Sequence, residues 1–278
     1  MSKPNSAAAT AKKQGSSFDF GSMLPYIVIV VGFILCYFIW DKVLGADSNF
    51  EGNNRVTGHP LGYMGTVYKG GVLVPVLMTV ALTTLVFIFE RLFTVIKARG
   101  KGSNSDFLRS VQANLQSGNI QSAISACDKQ KGSVANVVRA GLVKYAEMEK
   151  DTTLDKDTKI AAIQKEMEET TGLELPMLEK NLVILATIAS VATLTGLLGT
   201  VFGMIKSFQA MATAGAPDAV ALSTGISEAL INTALGIGTS AFAIIFYNVF
   251  TTQIDKLTYF IDEAGVSIAQ TFAAKHNN

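Results

Sequence analysis

Histidine is almost missing from this sequence. His59 and His276 are the only two, which excludes a histidine-rich metal site. Cysteine is equally sparse: Cys36 lies in an apolar run and Cys127 in a polar region. Neither shows pairing or metal-ligand spacing, so both read as reduced thiols. Charged residues make up 16% of the chain, and a net charge of +1 provides no field that would draw nucleic acid. No G-x-x-x-x-G-K-[ST] loop is present to cradle a nucleotide phosphate. No nucleophile, base and orienting group share a recognisable spacing, so neither an enzyme nor a cofactor is expected.

What the chain has instead is apolar length. Hydrophobic residues make up 49% of its 278 residues, and the mean hydropathy is +0.35. Uncharged runs of about 20 residues are long enough to cross a hydrocarbon core of about 30 Å as helices. The fold class expected is therefore an all-α integral membrane protein with four transmembrane helices and a helical soluble domain.

Residues 1–20 are small and polar, carry Lys3, Lys12 and Lys13, and read as a disordered N-terminus. Residues 21–41 include LPYIVIVVGFILCYFIW and read as the first transmembrane helix. A cleaved leader fits less well, because Asp41-Lys42-Val43-Leu44-Gly45 offers no small-x-small site. Residues 42–69 form a loop or a short surface helix, and 70–90 a second span with Pro75 in its first turns, where a missing donor costs least. Arg91, Lys97, Arg99 and Lys101 follow as the strongest cationic cluster at a membrane boundary.

Residues 91–180 show apolar side chains at helical spacing, a break at Ser117-Gly118-Asn119, and nearly balanced charge. They read as a helical soluble domain. Its last helix is expected to start near Thr158 and run straight into the membrane, with a kink at Pro176. Residues 181–206 and 222–253 are the third and fourth spans, joined by a loop over 207–221, and 254–278 is a tail. Counting crossings from the N-terminal lysines puts both termini and the soluble domain on the positive, cytoplasmic side.

The last two spans hold more small polar residues than lipid requires. At about 100° per residue, Thr193, Gly196, Thr200, Gly203 and Ser207 fall within about 80° of one another. Gly199-x-x-x-Gly203 extends that small face. Helix packing alone accounts for such a stripe; hydroxyls lining a polar path account for it equally. On the fourth span Thr224, Glu228, Asn232, Thr233, Gly236, Thr239 and Ser240 share one half of the helix. Glu228 is the sole charge between Asp218 and Asp255. A carboxylate at mid-membrane costs about 3 kcal/mol, so it must be protonated, paired or hydrated. It is a functional candidate, with a hydrogen-bonding anchor between subunits as the alternative.

LATIASVATLTGLLGTVFGMIKSF followed by GISEALINTALGIGTSAFAIIFYNVFTTQID resembles the last two membrane helices of the MotA/TolQ/ExbB proton channel family, and within it the ExbB branch. The resemblance is specific over about 180–258, weak over 70–180 and absent over 1–69. It implies a Gram-negative inner-membrane protein whose outer loops are periplasmic. It further implies a homopentamer around two copies of a single-span ExbD-like partner, driven by protons and delivering work to a TonB-like protein. By motif, Thr200 (GLLGT), Glu228 (GISEAL) and Thr233 (NTALG) match family positions, with the two threonines facing a central lumen. Asn232 and Thr193 are expected beside that pathway, and Gly196, Gly199, Gly203 and Gly236 at helix contacts.

Three departures stand out. Thr193 occupies a position where the family usually has proline. Asn232 stands where alanine is frequent, and its carboxamide could hold water or an ion. The first span is an addition to the usual three. A TolQ-like or gliding-type motor subunit is the alternative within the family. A self-contained ion channel and a passive membrane scaffold are the alternatives from other classes.

Overall fold

A computed structural model describes residues 20–213 and 219–276; the N-terminal segment read as disordered lies outside these, apart from Phe20. Nine α-helices account for most of the described residues. Helix α1 (Phe20–Phe38) continues as a π-helical turn over Ile39–Leu44, and α2 (Tyr63–Tyr68) is a single short turn. Helices α3 (Leu73–Arg99), α4 (Asn104–Gln116), α5 (Ile120–Gln130), α6 (Gly132–Lys150) and α7 (Lys156–Glu179) follow. The chain closes with α8 (Leu182–Thr213) and α9 (Ala219–Lys275). Four stretches are long and apolar enough to cross a membrane: α1 with its π turn, α3, α8 and α9.

Helix α1 touches the rest of the molecule along a narrow line. Gly32 faces Leu82 and Thr79 of α3, and Cys36 is buried, while Tyr26, Val30 and Ile34 stand exposed. A helix apolar all round with one thin contact line is what lipid solvation allows. The segment between α1 and α3 is pinned over its end by aromatic packing. Trp40 stacks on Tyr68 at 4.8 Å, Phe50 meets Tyr68 edge-on at 5.6 Å, and Arg55 pairs with Asp41 at 2.9 Å.

In α3 the buried hydroxyls of Thr79, Thr83 and Thr84 donate to carbonyls one turn back, at 2.7–2.9 Å. That removes their cost in an apolar setting. Its C-terminal half joins a helical core, where Phe87, Val95 and Ala98 pack with Val111, Val138, Leu142, Ile163, Ile261 and Phe272. Side chains of Ser103, Asn119 and Asp155 cap α4, α5 and α7 by accepting from backbone N–H groups.

The structure departs from the sequence reading in four places. First, α7 does not run straight on into α8, the expected third span. It ends at Glu179, and α8 begins at Leu182 after Asn181, whose φ of +66° breaks the helix. Asparagine is one of the few residues that tolerate this conformation. Second, Arg91 is set apart from the rest of the cationic cluster by burial, at 2% exposed. Its guanidinium grips both oxygens of Glu90 at 2.6 and 2.5 Å and donates to the Leu178 carbonyl at 2.9 Å. Asn181 donates to the same carboxylate at 3.4 Å, so the α7–α8 break is tied to α3. Third, α8 runs to Thr213 and α9 starts at Ala219, so helix occupies most of the expected 207–221 loop. Fourth, residues 254–275 are no tail. They continue α9 as helix and bury Ile254, Leu257, Ile261, Ile268 and Phe272 in the helical core shared with α3 to α7.

Candidate functional site

Helices α8 and α9 run antiparallel along a seam of small residues. Ser240 Oγ donates to the Ala189 carbonyl at one end, and Ser207 Oγ to the Leu222 carbonyl at the other, at 2.5 and 3.2 Å. From Ala189 to Ser207 the seam is about 27 Å long, close to one hydrocarbon thickness. Gly196 lies against Gly236 and the Asn232 carbonyl, Gly199 against the Asn232 side chain, and Gly203 against Ala229 and the Gly225 carbonyl. A Cβ on Gly236 would stand 2.6 Å from the Ala192 carbonyl oxygen. All four predicted packing glycines therefore sit at this crossing, which only hydrogen side chains permit.

Thr233 lies in the seam, donating to the Ala229 carbonyl at 3.1 Å, with the Gly196 carbonyl at 3.4 Å. Thr200, one turn along α8 from Gly196, is half-buried and donates to the Leu197 carbonyl at 2.5 Å. Thr193 is exposed and bonds the Ala189 carbonyl at 3.3 Å. In each case the proton goes to the backbone while the hydroxyl oxygen keeps lone pairs for an incoming donor. Thr200 and Thr233 thus flank one stretch of the seam. Thr193 lies two turns away from Thr200 on α8.

Glu228 is 8% exposed and is not alone. Lys206 reaches it from α8, with Nζ 2.6 and 2.9 Å from the two carboxylate oxygens. The carboxylate stands level with the start of α3, where Gly71 adopts a φ of +81°. A Cβ there would lie 2.3 Å from Glu228 Oε1, so glycine is required both by conformation and by space. The positive end of the α3 dipole adds to the attraction. A cavity of about 600 Å³, lined by Lys69, Lys206, Glu228, His59, Thr224 and Ser227 among others, opens beside the pair. The acid is therefore paired, and it lies beside a cavity near the start of α9.

Asn232 is 1% exposed and one turn from Glu228. Its Nδ2 donates to the Gly70 carbonyl at 2.8 Å, while Oδ1 has no hydrogen-bond partner. In the single chain, then, the polar half of α9 points mainly at α8 and the start of α3. Among the described residues no three His, Cys, Asp or Glu side chains converge as metal ligands.

Lys206, Gly70 and Gly71 were not singled out from sequence. A signal for Lys206 was present: it is the sole charge between Lys180 and Asp218, as Glu228 is between Asp218 and Asp255. One unmatched charge of each sign on adjacent spans is the pattern a buried pair leaves, because either alone is costly in lipid. Gly70-Gly71 had no periodicity to mark it.

In comparison with known proteins, residues 129–263 match the MotA/TolQ/ExbB proton channel family. The chain is 32% identical over 124 residues to the Tol-Pal system protein TolQ of Pseudomonas aeruginosa, covering 45% of this chain and 54% of that one. It is 33% identical over 113 residues to the putative biopolymer transport protein ExbB-like 3 of Synechocystis, 40% and 54% of the two chains. To the biopolymer transport protein ExbB of Pseudomonas putida it is 36% identical over 85 residues, 31% and 26% of the two chains. The chain thus spans about half the length, or less, of these relatives.

Proposed function

We propose that this chain, which carries a MotA/TolQ/ExbB family domain, is the ring subunit of an ion-driven motor in a Gram-negative inner membrane. In this reading five copies surround two ExbD-like single-span partners, both termini are cytoplasmic, and the proton gradient energises a TonB-like protein for transport across the outer membrane. The observation that supports the reading is the presence of a hydroxyl on each of the two seam helices. Thr200 and Thr233 lie on adjacent helices, each with its proton committed to backbone and its oxygen free to accept. A gradient supplies about 2.3 kcal/mol per charge per 100 mV, so no nucleotide site is needed.

Glu228 takes a different role from these threonines. Held by Lys206 within its own chain, it fixes the outer ends of α8, α9 and α3 rather than carrying the proton. The titrating carboxylate is assigned to the partner. Asn232, with its unpaired Oδ1, supplies a site for water beside the pathway.

The test is Thr200→Val combined with Thr233→Val, which removes both hydroxyls and keeps the branched shape. Proton flux through the reconstituted complex and energy-dependent transport are expected to fall to background while subunit mass is unchanged. Full flux in the double variant would take the threonines out of the pathway. A TolQ-like role is the second reading, favoured by the similar identity to TolQ and ExbB proteins. Co-purification of the single-span partner and the protein it engages separates the two.

A further inference from the structure

A second polar site lies at the opposite end of α3 from Glu228. Reading α3 as a span, its 27 residues cover about 40 Å, so its last two turns emerge past a core of about 30 Å. The Glu90–Asn181 contact fixes the depth independently, because it joins α3 to the point where α8 enters the apolar region. One turn beyond lies a cavity of about 540 Å³ whose lining includes Lys97, Lys101, Lys131, Ser133, Ile96 and Met177. The three lysines are exposed and make no ion pair with any described residue. Glu174 is the sole acid in the lining, and it already accepts from Asn136 Nδ2 at 2.9 Å.

The cavity also receives the start of α6. That helix has no side-chain cap and no acid in its first turn, so its leading N–H groups lack protein acceptors. Ser133, in that turn, lines the cavity, is 5% exposed, and its hydroxyl bonds no described residue. That hydroxyl is not sealed in the interior, so a molecule in the cavity can reach it. Positive charge, orphan N–H groups and an unpaired hydroxyl all call for an anion bearing several acceptor oxygens. Ile96 and Met177, 58% and 65% exposed, extend the same surface with apolar side chains. A free phosphate would have no use for these; a phosphate with acyl chains attached would.

We propose that this cavity binds the phosphate headgroup of an anionic phospholipid, with the lysines and the α6 N-terminus holding the headgroup and the acyl chains running along Ile96 and Met177. The site ties the α3–α4 and α5–α6 junctions of the soluble domain to the bilayer surface.

The test uses the full chain in detergent, titrated separately with phosphatidylglycerol, phosphatidylcholine and inorganic phosphate, with bound lipid counted by native mass spectrometry. Phosphatidylglycerol is expected to be retained about tenfold or more over phosphatidylcholine, as three surface lysines warrant. K97Q/K101Q/K131Q should erase that preference. Glu174→Gln, which removes the lone acid, should strengthen retention, and Ser133→Ala should weaken it; these two cover the case in which the triple variant does not fold. Equal retention of the two lipids by the wild type, or unchanged retention in all three variants, would overturn the proposal. Binding of inorganic phosphate without any preference for phosphatidylglycerol would overturn it too, by reassigning the site to a free anion.

Discussion

The two halves of α9 follow opposite rules on one continuous helix. Above Val249, the side chains facing α8 and α3 are small or polar: Glu228, Asn232, Gly236 and Ser240 are buried, while Leu230, Ile237 and Ile245 are more than half exposed. Below it the arrangement inverts. Ile254, Leu257, Ile261 and Phe272 are buried, and Asp255, Lys256, Asp262 and Glu263 face outward. The upper half has the pattern of a helix solvated by lipid, where large apolar groups cost nothing outside and close packing requires small ones inside. The lower half has the pattern of a helix in water, where the hydrophobic effect drives large apolar groups inward. We propose that the changeover at Val249–Phe250 is the membrane boundary on α9. A single continuous helix of 57 residues joins the α8–α9 seam to the helical core.

The comparison is broken most severely at the seam. Gly236→Leu would drive a side chain into the Ala192 carbonyl, and neither backbone can yield without parting the helices. Loss of monodisperse protein in size-exclusion chromatography is the expected outcome. In the lower half, Phe272→Ala removes a fully buried ring packed edge-on against Tyr145 at 4.8 Å. A cost of about 3–5 kcal/mol is expected, read as a drop in the thermal unfolding midpoint.

A smaller effect sharpens the upper half. Glu228→Gln or Lys206→Gln alone leaves one partner without its counter-charge and should cost about 1–3 kcal/mol. The double variant should recover part of that, and a double-mutant cycle in denaturant measures the coupling. Additive losses would mean that the pair contributes nothing as a pair.

The smallest effect belongs to Cys127. Burial, with the nearby Asp128 charge, pushes its thiol up from 9.0 to about 12. A folded thiol held neutral stabilises fully below the unfolded value and loses that contribution as pH rises through it. Stability should therefore decline from about pH 9 toward pH 12, by about 1.4 kcal/mol at pH 10. Unfolding midpoints at pH 8 and pH 10, compared with those of Cys127→Ala, isolate this slope.

Much of the membrane half was legible because its signals are local. Uncharged runs marked the four long apolar helices, and the shared face of Thr193, Gly196, Thr200, Gly203 and Ser207 marked the side of α8 that carries the seam glycines. Pro75 in the first turn of α3 and the break at Ser117–Asn119 also follow from short-range chemistry. What escaped depended on contacts far apart in sequence. Arg91 is buried because Glu90, Leu178 and Asn181 surround it, and no window around Arg91 contains the last two. Residues 254–275 looked like a tail because their apolar positions find partners on α4, α6 and α7 rather than beside them. Lys206 read as the end of a span because its partner lies 22 residues away on the next helix.

Single-cysteine spin labelling along residues 226–275, in a background with Cys36 and Cys127 replaced by alanine and the protein in lipid bilayers, tests the inversion of α9 most directly. Labels at Leu230, Ile237 and Ile245 should be shielded from a water-soluble paramagnetic reagent, and labels at Asp255, Asp262 and Glu263 should be freely reached by it. Equal access of the water-soluble reagent to both sets would contradict the membrane boundary at Val249–Phe250.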